Sequence, residues 1–132
     1  MNAGNEVGPF YPSGIWEGFW EQKHYGRQPM QEFYLDFSPD GSIQGHGIDV
    51  VGRFVISGNY DRRSGNINWI KQYLGKHQVY YQGQPDGEGS ILGFWSVASE
   101  FGGTLYLDRG AFAIRPRLAK PGGEEPIQEL PL

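Results

Sequence analysis

Lys71 is the residue whose surroundings raise the clearest chemical question. It lies in the stretch "INWIKQY", which ends at Tyr73. If this stretch is a strand, strict alternation gives Lys71 three neighbours on its own face: Ile67, Trp69 and Tyr73. Burying an ammonium there costs free energy or lowers its pKa, unless a partner accepts hydrogen bonds from it. A ligand carboxylate or phosphate would be such a partner, and so would a carboxylate from a neighbouring strand: Glu17, Glu21 or Asp49.

A second interpretation of Lys71 needs no ligand. A lysine near the end of a strand lays its methylene stem over an aromatic neighbour such as Tyr73 and keeps its ammonium in water. Lysines are almost never fully buried unless they are paired. The sequence leaves both interpretations of Lys71 open.

The repeated signal along the chain is period-two alternation between turn clusters. The clusters "SPDG", "RRSG", "GKH" and "PDGEG" supply turn residues, and "GAFAIRP" is either a last strand or a short helix. Eight or nine strands then follow one another at intervals of about 8–12 residues. This spacing predicts an all-β fold, a single up-and-down antiparallel β-barrel of about eight strands, because closure removes the two raw edges of an open meander. A two-sheet sandwich is the alternative.

The 132 residues fit one domain. We expect an N-terminal segment at residues 1–13 and the β-barrel domain at residues 14–115. Residues 116–132 are rich in Pro, Gly and Glu, which predicts a loose C-terminal tail.

An eight-stranded barrel has an interior that side chains fill or that holds one small ligand. Interior glycines would relieve crowding there: Gly18, Gly45, Gly47, Gly58, Gly83 and Gly93. An apolar wall with a few polar groups is typical of a ligand pocket, although aromatic residues also simply fill cores. The candidate ligand-binding residues on the inner face are Trp20, Gln22, Tyr60, Trp69, Lys71, Tyr73, Tyr81 and Trp95.

The segment "GHGIDVVG", which ends at Gly52, is the most unusual one in the chain. In a functional interpretation it forms a glycine-framed mouth with His46 and Asp49 as polar contacts. In a structural interpretation, which we favour, it is a sharp corner in which Asp49 caps turn amides and Gly52 takes a positive φ.

The opening "SGIWEGFW", with Gly14-Ile15-Trp16, resembles the start of calycin-type barrels, the lipocalin and fatty-acid-binding superfamily. In those barrels a Gly-x-Trp near the N-terminus plugs one end. The resemblance covers roughly residues 14–108 and implies a calycin-like barrel of a poorly characterised family. The same motif is similar to that of nitrobindin-like haem barrels, whose haem needs a proximal histidine late in the chain. The histidines here are His24, His46 and His77, so we expect no haem and no other cofactor.

Composition argues against several other classes of function. The formal net charge is −4 without a basic stripe, which predicts no nucleic-acid binding. No apolar run is long enough for a membrane span, and the histidines lack metal-ligand spacing, so we expect no metal site. The chain contains no cysteine, and "MNAGNEVGPF" lacks the pattern of a signal peptide. We therefore expect a cytoplasmic protein.

Three functions remain at this stage. The first is a small-molecule-binding barrel with an aromatic-lined internal pocket for an apolar or anionic ligand. The second is a protein-interaction or homo-oligomerisation module with a filled barrel, no ligand and an outer apolar patch: Phe19, Tyr34, Ile70, Tyr80 and Phe94. The third is an enzyme that uses Lys71 or Tyr81 as an acid or base, which we rank last because the sequence carries no catalytic motif.

Overall fold

The structure, a computed structural model, describes residues 10–117. Eight strands follow one another in this part of the chain, with no helix between them. Their bounds are β1 Gly14–Gln22, β2 Gly26–Phe37, β3 Ser42–Ile48, β4 Arg53–Tyr60, β5 Ile67–Tyr73, β6 Gln78–Pro85, β7 Ile91–Phe101 and β8 Thr104–Pro116.

The sheet closes on itself. Each strand pairs antiparallel with the next, and β8 returns to pair with β1. The closing ladder runs from Trp16 opposite Pro116 to Glu21 opposite Ala111. The prediction of a single up-and-down antiparallel barrel of about eight strands is therefore confirmed, and the two-sheet sandwich is wrong.

The predicted turn clusters form hairpin turns. In "SPDG" the Gly41 amide donates to the Ser38 carbonyl at 3.0 Å, and the Asp40 carboxylate accepts a hydrogen bond from the Ser42 amide at 2.9 Å. Gly41 has a φ of +97°, a conformation that glycine adopts without steric penalty. The local turn chemistry thus fixes where β2 ends and β3 begins.

The last strand is longer than its two sequence segments indicate. "TLYLD" and "GAFAIRP" form one continuous strand, β8, so the part of the chain that the structure describes has neither a helix nor a ninth strand after β7. Gly110 lies inside β8 because the sheet packs closely there. A Cβ on Gly110 would lie 1.9 Å from the Glu21 carbonyl oxygen and 2.6 Å from the ring of Trp95. This glycine lets a neighbouring backbone and an indole approach, and it does not end the strand.

Tyr11 plugs one end of the barrel, which we call the base. Its ring lies 5.9 Å from Trp16, 5.1 Å from Phe37 and 6.5 Å from Tyr60, measured between ring centroids. Its hydroxyl donates a hydrogen bond to the carbonyl of Gly65, in the turn between β4 and β5. The turns that join β2 to β3 and β6 to β7 lie at the same end, because alternate turns of a meander share an end. The other four turns surround the opposite end, the mouth.

Strands β7 and β8 continue beyond their neighbours as a two-stranded ribbon, residues 97–110. Pairing of β7 with β6 ends at Ser96, and pairing of β8 with β1 ends at Ala111. The two strands remain paired to each other as far as Phe101 and Thr104. Most side chains of the ribbon are exposed.

The predicted boundaries can be compared with the strands only in part. β1 begins at Gly14 and β8 ends at Pro116, while residues 1–9 and 118–132 lie outside the described residues. The predicted tail therefore lies almost entirely outside them. Within residues 10–117, no helix is long and apolar enough to cross a membrane.

Candidate functional site

The barrel encloses a cavity of about 270 Å³ that opens toward the mouth. Seven of the eight candidate ligand-binding residues line it: Trp20, Gln22, Trp69, Lys71, Tyr73, Tyr81 and Trp95. Three tryptophans from β1, β5 and β7 therefore face one common space, as the alternation predicts. Further apolar side chains complete the wall: Met30, Phe33, Phe54, Ile56, Val79, Val97, Phe112 and Ile114.

Tyr60 is the one candidate that the structure places elsewhere. It points inward but lies at the base, where its ring packs 5.7 Å from that of Phe37 and its hydroxyl donates to the Ser38 carbonyl. Its position opposite Ile67 puts it beside the turn between β4 and β5. Tyr60 therefore belongs to the aromatic plug and does not line the cavity.

Asp49, Lys71 and Tyr73 form a hydrogen-bonded group at the mouth end of the cavity, which we call the Asp49 cluster. The Lys71 ammonium lies 3.2 Å from Asp49 Oδ2, and the Tyr73 hydroxyl donates to the same oxygen at 2.7 Å. The Lys71 side chain is only 13% exposed. The interpretation in which Lys71 extends into water is therefore wrong: the lysine is held inside the barrel by a carboxylate.

The other two carboxylates considered as partners for Lys71 pair elsewhere. Glu17 binds Arg115 at 3.1 Å, and Glu21 binds Arg27 at 2.8 Å. Both arginines are well exposed, so these are ion pairs of the outer surface. Pairs of this kind contribute little to stability.

The turn between β3 and β4 holds Asp49 in place. Asp49 Oδ1 accepts hydrogen bonds from the amides of Val51 at 2.9 Å and Gly52 at 3.4 Å, and Gly52 has a φ of +147°. The structural interpretation of "GHGIDVVG" is confirmed for Asp49 and Gly52. The same carboxylate also lines the cavity, where the functional interpretation expects a polar contact. His46 does not, because it is exposed on the outer face and stacks on Tyr34 at 5.2 Å.

Burial and pairing shift the ionisation of the cluster. The pKa of Asp49 is lowered overall. Partial burial acts to raise it, but this effect is outweighed by the hydrogen bond from Tyr73, by the charge and hydrogen bond of Lys71 and by the turn amides. Burial lowers the pKa of Lys71, and Asp49 opposes this shift. Burial and the hydrogen bond to Asp49 raise the pKa of Tyr73. Burial also raises the pKa of Tyr81, with a smaller contribution from the Asp49 charge.

Aromatic rings complete the surroundings of the Lys71 ammonium. Its nitrogen lies 4.3 Å from the centroid of the Phe54 ring and 4.9 Å from that of Tyr73. A cation at this distance is attracted to the electron-rich face of a ring. The ammonium is therefore stabilised both by the Asp49 carboxylate and by the rings of Phe54 and Tyr73.

The indole N–H groups of the wall differ in their partners. Trp95 packs edge-on against Trp20 at 5.9 Å and donates to the Glu21 carbonyl at 3.2 Å. Trp69 is buried, and its indole N–H has no acceptor among the described residues. A buried donor without an acceptor is unusual in a native protein. Trp69 packs against Tyr81, its pairing partner on β6, with 5.8 Å between ring centroids.

Comparison with protein-family models, with curated proteins and with solved structures finds no match to this chain. The closed eight-stranded antiparallel barrel is compatible with a calycin-like fold. Within residues 10–117, no group of three or more His, Cys, Asp or Glu residues could hold a metal ion.

Several residues of the wall were not among the sequence candidates. Phe112 follows from alternation once "GAFAIRP" is assigned to a strand. Met30 has no such signal: β2 bulges, so that Phe33 pairs with Trp16 but Met30 pairs with Gly18. Asp49 was considered as a partner for Lys71 and as a turn cap or polar contact, but not among the ligand-binding candidates, because its position at the mouth depends on how β3 and β4 pair with their neighbours.

Proposed function

We propose that this protein binds a small, mostly apolar molecule inside the barrel. The observation that supports the proposal is the cavity of about 270 Å³, with its aromatic wall and the Asp49 cluster at its mouth end. Ligand pockets combine an apolar wall with a few well-placed polar groups that orient the ligand. A barrel that only needed a filled core would have no use for a lysine and an aspartate beside such a space.

The size of the cavity restricts the ligand. Typical small-molecule sites enclose about 300–1,000 Å³, so this cavity lies just below that range. The walls are formed by rings, which favour flat ligands through stacked and edge-on contacts. We therefore propose a compact ligand of two fused rings or similar bulk.

The Gly14-Ile15-Trp16 motif supports a calycin-like assignment. Trp16 is fully buried at the base, and its indole N–H donates to the Pro12 carbonyl at 3.2 Å. This is the plugging role that the resemblance to calycin-type barrels implies for such a tryptophan. Eight-stranded barrels of the lipocalin type hold one small ligand, which agrees with the proposed function.

Two measurements test the proposal. Native mass spectrometry of the purified protein detects a co-purifying mass. A titration with the neutral fluorophore N-phenyl-1-naphthylamine should give a saturable rise in probe fluorescence. Met30→Trp should weaken the probe at least tenfold, about 1.4 kcal/mol, because Met30 lines the cavity and a larger ring would fill it.

Leu92→Trp is the matched control. Leu92 is exposed, so the added ring lies in solvent and should leave probe affinity unchanged. Equal affinities of wild type and Met30→Trp would place the probe outside the barrel and contradict the proposal. Absence of both a co-purifying mass and saturable probe binding would contradict it as well.

A homo-oligomer contact is the second candidate function, because the outer face of β6–β8 exposes large apolar residues. Phe94 is 70% exposed and Leu105 is 72% exposed, and Tyr80 and Leu107 are about half exposed. Phe19, Tyr34 and Ile70, which the sequence grouped with them, are half-buried. A molecular mass that rises with concentration, together with no probe binding, would favour this function over ligand binding.

A further inference from the structure

The Asp49 carboxylate has no free acceptor site for a ligand. A carboxylate offers about four lone-pair positions. Oδ1 is occupied by the amides of Val51 and Gly52, and Oδ2 by Lys71 and the Tyr73 hydroxyl. A ligand that donates hydrogen bonds would have to displace one of these donors.

The cavity wall carries hydrogen-bond donors that lack an acceptor among the described residues. The Lys71 ammonium carries three N–H groups, and among the described residues it donates only to Asp49. The Tyr81 hydroxyl lines the same cavity and makes no hydrogen bond to any described residue.

Lys71 and Tyr81 lie on the neighbouring strands β5 and β6. Lys71 is the next inward residue of β5 after Trp69, and Tyr81 is the pairing partner of Trp69. A ligand group that meets them must therefore accept hydrogen bonds. A carbonyl, a carboxylate and a phosphate all have the required lone pairs, so charge must decide between them.

Charge favours a neutral acceptor. The positive charge of Lys71 is already balanced by Asp49 at 3.2 Å, so a bound carboxylate would add a second negative charge beside Asp49. Removing that charge from water costs free energy, and attraction to a lysine that is already paired with Asp49 offsets little of this desolvation cost. A neutral carbonyl uses the same donors without this cost.

We infer that the cavity selects neutral aromatic molecules that carry a carbonyl group over hydrocarbons and over carboxylates of the same shape. The inference rests on the proposed function, since it concerns the ligand of the same cavity. The carbonyl oxygen accepts from the donors of Lys71 and Tyr81, and the rings pack between the aromatic walls.

Three probes of one shape test the inference: 2-acetonaphthone, 2-ethylnaphthalene and 2-naphthoate, each measured by displacement of N-phenyl-1-naphthylamine at neutral pH. We expect 2-acetonaphthone to bind at least tenfold more tightly than either of the other two. The hydrocarbon is the more hydrophobic molecule, so a preference for the ketone reports hydrogen bonding. The naphthoate reports the effect of the added charge.

A conservative variant locates the donor. Tyr81→Phe removes the hydroxyl and keeps the aromatic ring. It should weaken 2-acetonaphthone about tenfold and leave 2-ethylnaphthalene nearly unchanged. Tyr80→Phe is the matched control on the exposed face of β6 and should change neither affinity. Asp49→Asn removes the balancing charge and should tighten 2-naphthoate.

The outcomes separate the inference from the proposed function. If 2-ethylnaphthalene binds as well as 2-acetonaphthone, or if 2-naphthoate binds best, the ligand class is wrong while the cavity remains a binding site. If Tyr81→Phe leaves ketone affinity unchanged, the donor assignment is wrong even where Asp49→Asn fails to fold. If no probe binds, the proposed function and the inference fail together.

Discussion

Asp49 and Lys71 depend on each other unequally. Asp49 keeps the Tyr73 hydroxyl and the amides of Val51 and Gly52 when Lys71 is removed. Lys71 has no other carboxylate within salt-bridge distance among the described residues. Removing one partner of a buried pair is costly when the remaining charge has nothing to balance it. Substitutions of Asp49 and of Lys71 should therefore lower the free energy of unfolding by different amounts.

We expect Asp49→Asn to lower the free energy of unfolding by about 1–3 kcal/mol, because the ammonium stays in an apolar site without its carboxylate and one turn acceptor is weakened. Lys71→Met should change the free energy of unfolding by less than about 1 kcal/mol, since its stem still packs and Asp49 stays hydrogen-bonded. Urea denaturation followed by tryptophan fluorescence measures both.

Lys76→Met provides the control for the lysine substitution. Lys76 is exposed and its ammonium donates to the Val51 carbonyl at 2.8 Å, so loss of this side chain should have little effect on stability. A larger loss for Lys71→Met than for Asp49→Asn would mean that Lys71, rather than Asp49, is the centre of the cluster.

At the scale of single strands, alternation predicts which face a residue occupies but not its height in the barrel. Tyr60 and Lys71 both point inward, as predicted. Their heights follow from pairing: Tyr60 lies opposite Ile67 at the base, whereas Lys71 lies opposite Ile56 near the mouth. No local pattern in the sequence encodes strand register, so one predicted site residue falls in the plug.

Glycines and bulges account for most of what the sequence could not predict. Gly110 interrupts the apolar pattern of β8, so "TLYLD" and "GAFAIRP" read as two segments although they are one strand. The bulge between β1 and β2 shifts the inward set of β2 by one residue at Met30. Both features depend on contacts with neighbouring strands, and a single chain segment does not show these contacts.

Gly47 tests the importance of close packing within β3. A Cβ on Gly47 would lie 2.5 Å from the ring of Phe54 and 2.9 Å from Cβ of Phe33. Both residues line the cavity, so either the rings or the strand must move. We expect Gly47→Ala to lower the free energy of unfolding by about 1–3 kcal/mol, as overpacking of a close contact does.

Urea denaturation of Gly47→Ala beside Gln44→Ala gives the comparison. Gln44 is exposed on the same strand, so its truncation should stay within about 0.5 kcal/mol of wild type. Equal unfolding midpoints for the two variants would contradict this expectation. They would show that the side chains of Phe54 and Phe33 move aside at little cost in free energy.

The two ends of the whole molecule serve different purposes. The base is filled by the rings of Tyr11, Trp16, Phe37 and Tyr60, which pack on one another. The mouth end holds the cavity and the Asp49 cluster. A closed base stabilises the barrel, and a ligand of the kind proposed would have to enter through the mouth. Stability and binding should therefore respond separately to substitutions at the two ends.

Tyr11 is the residue on which this separation can be tested. Burial, with a smaller contribution from the charge of Asp86, raises its pKa to about 12, so it stays protonated and donates to Gly65. Tyr11→Phe should cost about 1 kcal/mol for the unpaired carbonyl. Tyr11→Ala should cost about 3–5 kcal/mol, because it opens a cavity among three rings.

Thermal or urea denaturation gives the stabilities, and N-phenyl-1-naphthylamine titration of the folded variants gives the affinities. Tyr25→Ala is the control, since Tyr25 is 67% exposed in the turn between β1 and β2. We expect Tyr11→Ala to lose stability while its probe affinity stays within about twofold of wild type, because Tyr11 does not line the cavity. A parallel loss of probe affinity would mean that the plug sets the shape of the cavity and that the barrel responds as one unit.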